Sequence, residues 1–143
     1  MSEENIVQPK FAMRGHYIKD VSLENPNAPQ SLLPTEKSPT VGMNMDLQAK
    51  KLQENLYELD MTFVVKTEAE IVLFVIELIY SGIYELVGIP EEMIERVLLV
   101  DSAFSLFPFA RRVVADLTRD AGFQPLLLEP IDFLTLFENK SQQ

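Results

Sequence analysis

The sequence predicts an α+β domain: a four-stranded antiparallel sheet packed with a long broken helix and a short C-terminal helix. Three observations predict it. Val41, Met43, Met45 and Leu47 alternate with Gly42, Asn44, Asp46 and Gln48, and Tyr57, Leu59, Met61, Phe63 and Val65 alternate with Glu58, Asp60, Thr62 and Lys66. Such alternation puts apolar side chains on one sheet face and polar ones on the other. From Pro90 onward the apolar spacing changes to the helical three and four. Strands followed by helices is the order of an α+β domain rather than of repeated βα units.

The elements follow in order. Phe11 to Leu23 reads as a long strand in which Phe11, Met13 and Tyr17 share one face, with Gly15 as a candidate bulge. Pro26, Pro29, Pro34 and Pro39 then make the next connection stiff and extended, because each ring locks its own φ and restricts the preceding residue. A connection of that length inside a compact domain is usually functional. The two alternating strands come next, and Lys66-Thr67-Glu68-Ala69-Glu70 forms a hairpin turn into a last strand, Ile71 to Tyr80. That strand is apolar on both faces, which predicts a covering layer on each side. Gly82 and Gly88 are expected to punctuate its end.

Pro90-Glu91-Glu92 opens a helix, since proline suits the first helical position and acids complement the dipole. Met93, Val97, Val100 and Phe104 recur at helical spacing until Pro108, where a break or kink is expected. The stripe resumes with Phe107, Ala110, Val114, Leu117 and Ala121, and Gly122 supplies a C-terminal cap. Pro130-Ile131-Asp132 starts the short helix bearing Phe133, Leu134 and Phe137. With 143 residues the chain is expected to form one domain over 11–137, flanked by a flexible N-terminus, 1–10, and a short tail, 138–143.

Composition narrows the function. Lys and Arg total 12 against 22 Asp and Glu, a formal charge of −10 without a basic cluster, which argues against nucleic-acid binding. An acidic surface favours basic partners. Cysteine is absent, which removes disulfides and thiolate chemistry. The opening Met1-Ser2-Glu3-Glu4-Asn5 is acidic where a secretory signal is basic, and the apolar run from Ile71 to Tyr80 is far shorter than the roughly 20 residues of a membrane span. These features predict a soluble protein that is not itself exported and does not insert directly into a membrane.

Catalytic chemistry has little to stand on. His16 is the single histidine, on a strand without an orienting partner in sequence, and reads as an edge-strand residue rather than a general base. Glu91, Glu92 and Glu95 fit dipole complementarity better than a metal site, and no glycine-rich phosphate loop is present. The expectation is no enzyme, no catalytic residues, no metal and no cofactor. Met43, Met45 and Met61 suit either an ordinary sheet core or an adaptable binding surface. Two helices cannot cover a four-stranded sheet completely, so apolar faces are left for an oligomer interface, a groove, or both. Glu77, a lone charge in an apolar strand, reads by itself as a guard against edge aggregation.

The segment from Tyr17 to Pro29, Tyr-Ile-Lys-Asp-Val-Ser-Leu-Glu-Asn-Pro-Asn-Ala-Pro, resembles the first-strand signature of the protein-export chaperone SecB. Gly82-Ile83-Tyr84 with Gly88-Ile89, then Leu106-Phe107-Pro108-Phe109-Ala110-Arg111, and Phe123-Gln124-Pro125 leading to Pro130-Ile131-Asp132-Phe133, resemble further motifs of that family in the same order. The resemblance spans about Phe11 to Phe137. It implies a SecB-like fold and a cytoplasmic, ATP-independent chaperone that keeps precursor proteins unfolded and delivers them to the translocase motor SecA. It also implies a homotetramer, a dimer of dimers, with the long helix at the interface. Carried over by position, motor docking falls on Asp20, Glu24, Val75 and Glu77. The client groove falls on Leu32, Leu33, Met43, Met45, Phe133 and Phe137. The alternatives from other classes are an oligomeric adaptor or structural protein binding a folded partner, and a carrier of small apolar ligands.

Overall fold

The computed structural model describes residues 8–141. The flexible N-terminus expected at 1–10 therefore lies, up to residue 7, outside the described residues, as do 142 and 143 of the expected tail. Four strands, β1 (Lys10–Glu24), β2 (Thr40–Gln53), β3 (Leu56–Glu68) and β4 (Val72–Val87), form one antiparallel sheet in the order β1-β4-β3-β2. Three helices follow: α1 (Glu91–Arg96), α2 (Ala103–Asp120) and α3 (Phe133–Ser141), with a π-helical turn, Val97–Ser102, joining the first two. The helix α3 continues through part of the segment read as a tail.

Because β1 and β2 are the two edges, the proline-rich connection must cross the sheet from one side to the other. It contains a single 3-10 turn, Gln30–Leu32, and the Ala28–Pro29 bond is cis. The Asn27 side-chain amide donates to the Val72 carbonyl at 2.9 Å and fastens the loop to the start of β4. Within the loop, buried Ser31 donates to the Asn25 side-chain oxygen at 2.5 Å.

The core lies between the sheet and α2. The apolar rows Leu59, Met61, Phe63 and Val65 of β3 and Ile76, Leu78 and Tyr84 of β4 meet Leu106, Ala110 and Val114 of α2, and all are buried. The strand alternation thus does what it predicts on that face. The expectation of a covering layer on both faces of β4 does not hold. On the side away from the helices Val75, Ile79 and Ile83 are half-buried and Glu77 is exposed, sheltered only by side chains of neighbouring strands.

Two further expectations are corrected. Gly82 does not end β4, which continues to Val87. A Cβ at Gly82 would stand 2.8 Å from Tyr84 Cε2 and 3.1 Å from Leu106 Cδ1, so this glycine admits the helix layer rather than stopping the strand. Gly82→Ala is expected to destabilise the fold by about 1–3 kcal/mol through overpacking, because Tyr84 is fully buried and has nowhere to go. The urea midpoint checks this. Gly88, at φ 68°, lies just beyond the strand's true end.

Pro108, second, lies inside α2, and the helical irregularity precedes it at Val97–Ser102. The Ser102 carbonyl accepts from the Tyr84 hydroxyl at 2.9 Å and from Ser105 Oγ at 2.8 Å. The first of these donors comes from β4, so helical periodicity could not locate it. Gly122, at φ 98°, ends α2 as expected: its N–H donates to the Arg119 carbonyl and that of Phe123 to the Thr118 carbonyl, the paired bonds of a Schellman cap.

Candidate functional site

The sheet has a helix-covered inner face and an open outer face, and each carries a distinct candidate surface. On the outer face the strand register decides which residues meet. In the β1–β4 ladder Asp20 is opposite Ile79, Ser22 opposite Glu77, and Glu24 opposite Val75. Directly opposed residues on one face have Cβ atoms about 5 Å apart. The register therefore brings Asp20, Glu24, Val75 and Glu77 together on one patch. The three acids are exposed, and among the described residues they form no ion pair or hydrogen bond. Half-buried Val75 and Ile79 and exposed Val64, the β3 neighbour of Glu77, place apolar surface between them.

Next to these acids is a polar network that sequence reasoning did not anticipate. Lys19 donates to Glu58 Oε1 at 2.9 Å and to Asp60 Oδ2 at 3.1 Å, Tyr17 donates to Glu58, and Ser81 donates to Asp60 at 2.6 Å. Glu58 is buried, with the Lys50 ammonium 3.7 Å away. Its residue type was visible as the polar half of an alternating strand, but its burial depends on cross-strand neighbours.

The Tyr17 hydrogen bond, aided by Lys19 and Lys50 and opposed by burial, holds the Glu58 carboxyl below the usual range. A lowered folded value contributes stability above the ordinary carboxylate pKa and loses it as pH falls through the folded value. Burial, then the Glu58 bond, pushes Tyr17 up to about 12. That contribution is present below the ordinary tyrosine value of about 10 and is lost as pH rises through the folded one. Glu58→Gln is expected to flatten the acid limb of a stability–pH curve, and Tyr17→Phe the alkaline limb together with part of the acid limb, because it removes the bond that lowers Glu58. Denaturant midpoints across pH test both.

On the inner face, a cavity of about 370 Å³ opens between β2, the π-helical turn and α3, lined by Met45, Leu47, Leu99, Phe133, Leu136 and Phe137. Phe133 is nearly buried and joins this wall to the core through an edge contact with Phe107 at 6.0 Å. A second cavity of about 260 Å³ lies between the crossing loop and the β3–β4 turn, where Leu33 faces Ile71 and Leu73. Three of the six expected groove residues, Met45, Phe133 and Phe137, therefore meet at the first cavity, and Leu33 lies at the second. Leu32 stands against Gly122, and exposed Met43 lines neither cavity. Leu47, Leu99 and Leu136 were missed. Leu47 had the right alternation, whereas Leu99 and Leu136 depend on how the helices dock.

The remaining candidates have local roles. His16 Nδ1 is 2.6 Å from the Tyr80 hydroxyl, and its ring stacks on Phe109 at 4.1 Å. Glu91, Glu92 and Glu95 are exposed on the first turns of α1. Among the described residues, no group of three or more His, Asp or Glu is placed to hold a metal ion.

Residues 4–143 match the family described as preprotein translocase subunit SecB. A protein-export protein SecB of Parvibaculum lavamentivorans is 38% identical over 98% of this chain and 84% of its own length. One from Bartonella bacilliformis is 40% identical over 93% and 84%. Among solved structures, a Mycobacterium tuberculosis SecB-like chaperone in complex with a ChAD peptide from an antitoxin superposes with a TM-score of 0.72, covering 85% of this chain and 90% of that one. At 14% identity it speaks for the fold.

Proposed function

This chain belongs to the SecB family, and we propose that it is an ATP-independent chaperone that keeps precursor proteins unfolded for export and hands them to the translocase motor SecA. One observation carries the reading: a single sheet presents an apolar cavity on one face and uncompensated acids on the other. Client and motor can then be held at once without competing for the same surface.

The chemistry on each side suits its partner. An unfolded client exposes apolar side chains together with unpaired backbone groups. The cavity takes the side chains, and β2, an edge strand that supplies Met45 and Leu47, offers unpaired backbone for strand addition. The acids Asp20, Glu24 and Glu77 suit a basic motor segment, an attraction that weakens as salt rises. Helix α2 supports self-association into a dimer of dimers, since Phe104 is 73% exposed on it, as does the open β1 edge with exposed Phe11, Ile18 and Val21. No helix among the described residues is long and apolar enough to cross a membrane. Residues 11–137 form the chaperone domain of a cytoplasmic protein without enzymatic activity.

The test mixes the protein with a chemically denatured client, without ATP, and follows aggregation by light scattering. The chaperone reading expects suppression at stoichiometric amounts, whereas an adaptor for folded partners or a small-ligand carrier leaves aggregation unchanged. Static light scattering of the protein alone should give the mass of four chains, and a stable monomer would count heavily against the assignment.

A further inference from the structure

We propose that Lys19 is a positioning residue for the acidic patch: it is the extra residue of a β-bulge, pinned across the sheet so that Asp20 and Glu24 turn to the outer face. The proposal rests on the docking role given above to those acids.

The register shows the device. Tyr17 is opposite Ser81, Ile18 opposite Tyr80, and Asp20 opposite Ile79, so Lys19 has no partner of its own in β4. In an uninterrupted strand, residues three apart point to opposite faces. Here Tyr17 and Asp20 point to the same face, and the one inserted residue is the reason. Lys19 reaches over β4 to β3, where Glu58 and Asp60 take its ammonium at 2.9 and 3.1 Å. Glu58 is buried and also accepts from Tyr17, and Asp60 also accepts from Ser81. Both anchors are thus held by Tyr17 and Ser81, a cross-strand pair immediately before the bulge. Smoothing the bulge out would shift the remainder of β1 by one residue, turning Asp20, Ser22 and Glu24 inward and Val21 and Leu23 outward.

The sign of one measurement separates this role from plain electrostatics. Lys19 is a cation beside an acidic patch, so removing it should tighten binding of a basic partner if charge alone matters. A positioning role predicts the reverse. The experiment measures calorimetric affinity of the full chain for the purified translocase motor, and cross-strand backbone NMR contacts between Asp20 and Ile79. Lys19→Met is expected to weaken binding roughly tenfold and to lose the Asp20–Ile79 contact, while Lys19→Arg stays within about twofold. Lys19→Met should add nothing in a background where both positioned acids are already neutralised, Asp20→Asn with Glu24→Gln. Deleting Lys19 leaves Ile18 and Asp20 opposite consecutive β4 residues with no bulge to hold, so that variant should keep both the contact and the affinity, which also covers a Lys19→Met chain that fails to fold. Unchanged or tighter binding by Lys19→Met, or an intact Asp20–Ile79 contact in it, overturns the proposal. If Asp20→Asn itself leaves affinity unchanged, the docking reading falls, and the NMR contact alone then decides the role of Lys19.

Discussion

Asp20→Ala combined with Glu77→Lys is expected to abolish measurable binding to SecA while leaving client holding intact. Both side chains lie on the outer face of the β1–β4 ladder, exposed and outside every ion pair among the described residues. Their removal therefore costs the fold little, within about 0.5 kcal/mol per site for surface positions of this kind. The partner loses more. On the proposed docking surface one carboxylate disappears and another is replaced by a cation, so a basic segment would meet repulsion beside Val75 in place of attraction. Charge reversal at a desolvated contact of this kind costs about 2–5 kcal/mol or more, on the order of a hundredfold in affinity. Calorimetry with purified motor, paired with a client-aggregation assay, gives both readouts. Undiminished motor affinity would remove Asp20 and Glu77 from the docking surface.

Met45→Glu combined with Leu136→Glu should do the opposite, eliminating aggregation suppression while sparing motor binding. Both residues line the larger inner-face cavity, Met45 half-buried and Leu136 exposed. Burying a client's apolar segment there would also bury the new carboxylates, and stripping water from an unpaired charge costs several kcal/mol. A hold built from nonspecific apolar contact does not survive a loss of that size. Met45→Leu, which conserves volume, is the control expected to retain holding. Circular dichroism during thermal melting verifies that the double variant remains folded. If that folded variant suppresses aggregation as well as the parent protein, the cavity is not the client site. Together the two double variants test whether client and motor use opposite faces of one sheet.

Much of this architecture was legible along the chain because it is set by local rules. Alternation in Val41–Leu47 and Tyr57–Val65 marks β2 and β3 since the pleat repeats every two residues. Gly122 announces the end of α2 because a left-handed residue suits glycine there. The acids at 20 and 24 share a face by their even spacing, and that survives folding because the bulge falls before both of them. Gly82 misled for the opposite reason: its need for glycine is set by Tyr84 and by Leu106, 24 positions away in the chain, and not by a turn.

What the sequence by itself determined was the order and type of the elements, the inner apolar rows of β2 and β3, the absence of a phosphate loop or cysteine chemistry, and a family likeness dense enough to point to a chaperone. The β1 row expected of Phe11, Met13 and Tyr17 is instead split by the register shift between Met13 and Gly15, which turns Tyr17 to the outer face. Only the tertiary structure decided that Glu58 is buried and that Lys19 reaches across β4 to meet Glu58 and Asp60. It alone separated the expected groove residues, with Met45 beside Phe133 and Phe137 at one cavity, Leu33 at another, and Met43 at neither. The physical reason is the same throughout. Period and cap are properties of neighbouring residues, but burial, register and the docking of helix on sheet are set by contacts between residues far apart in the chain, and no local pattern encodes which of those contacts win.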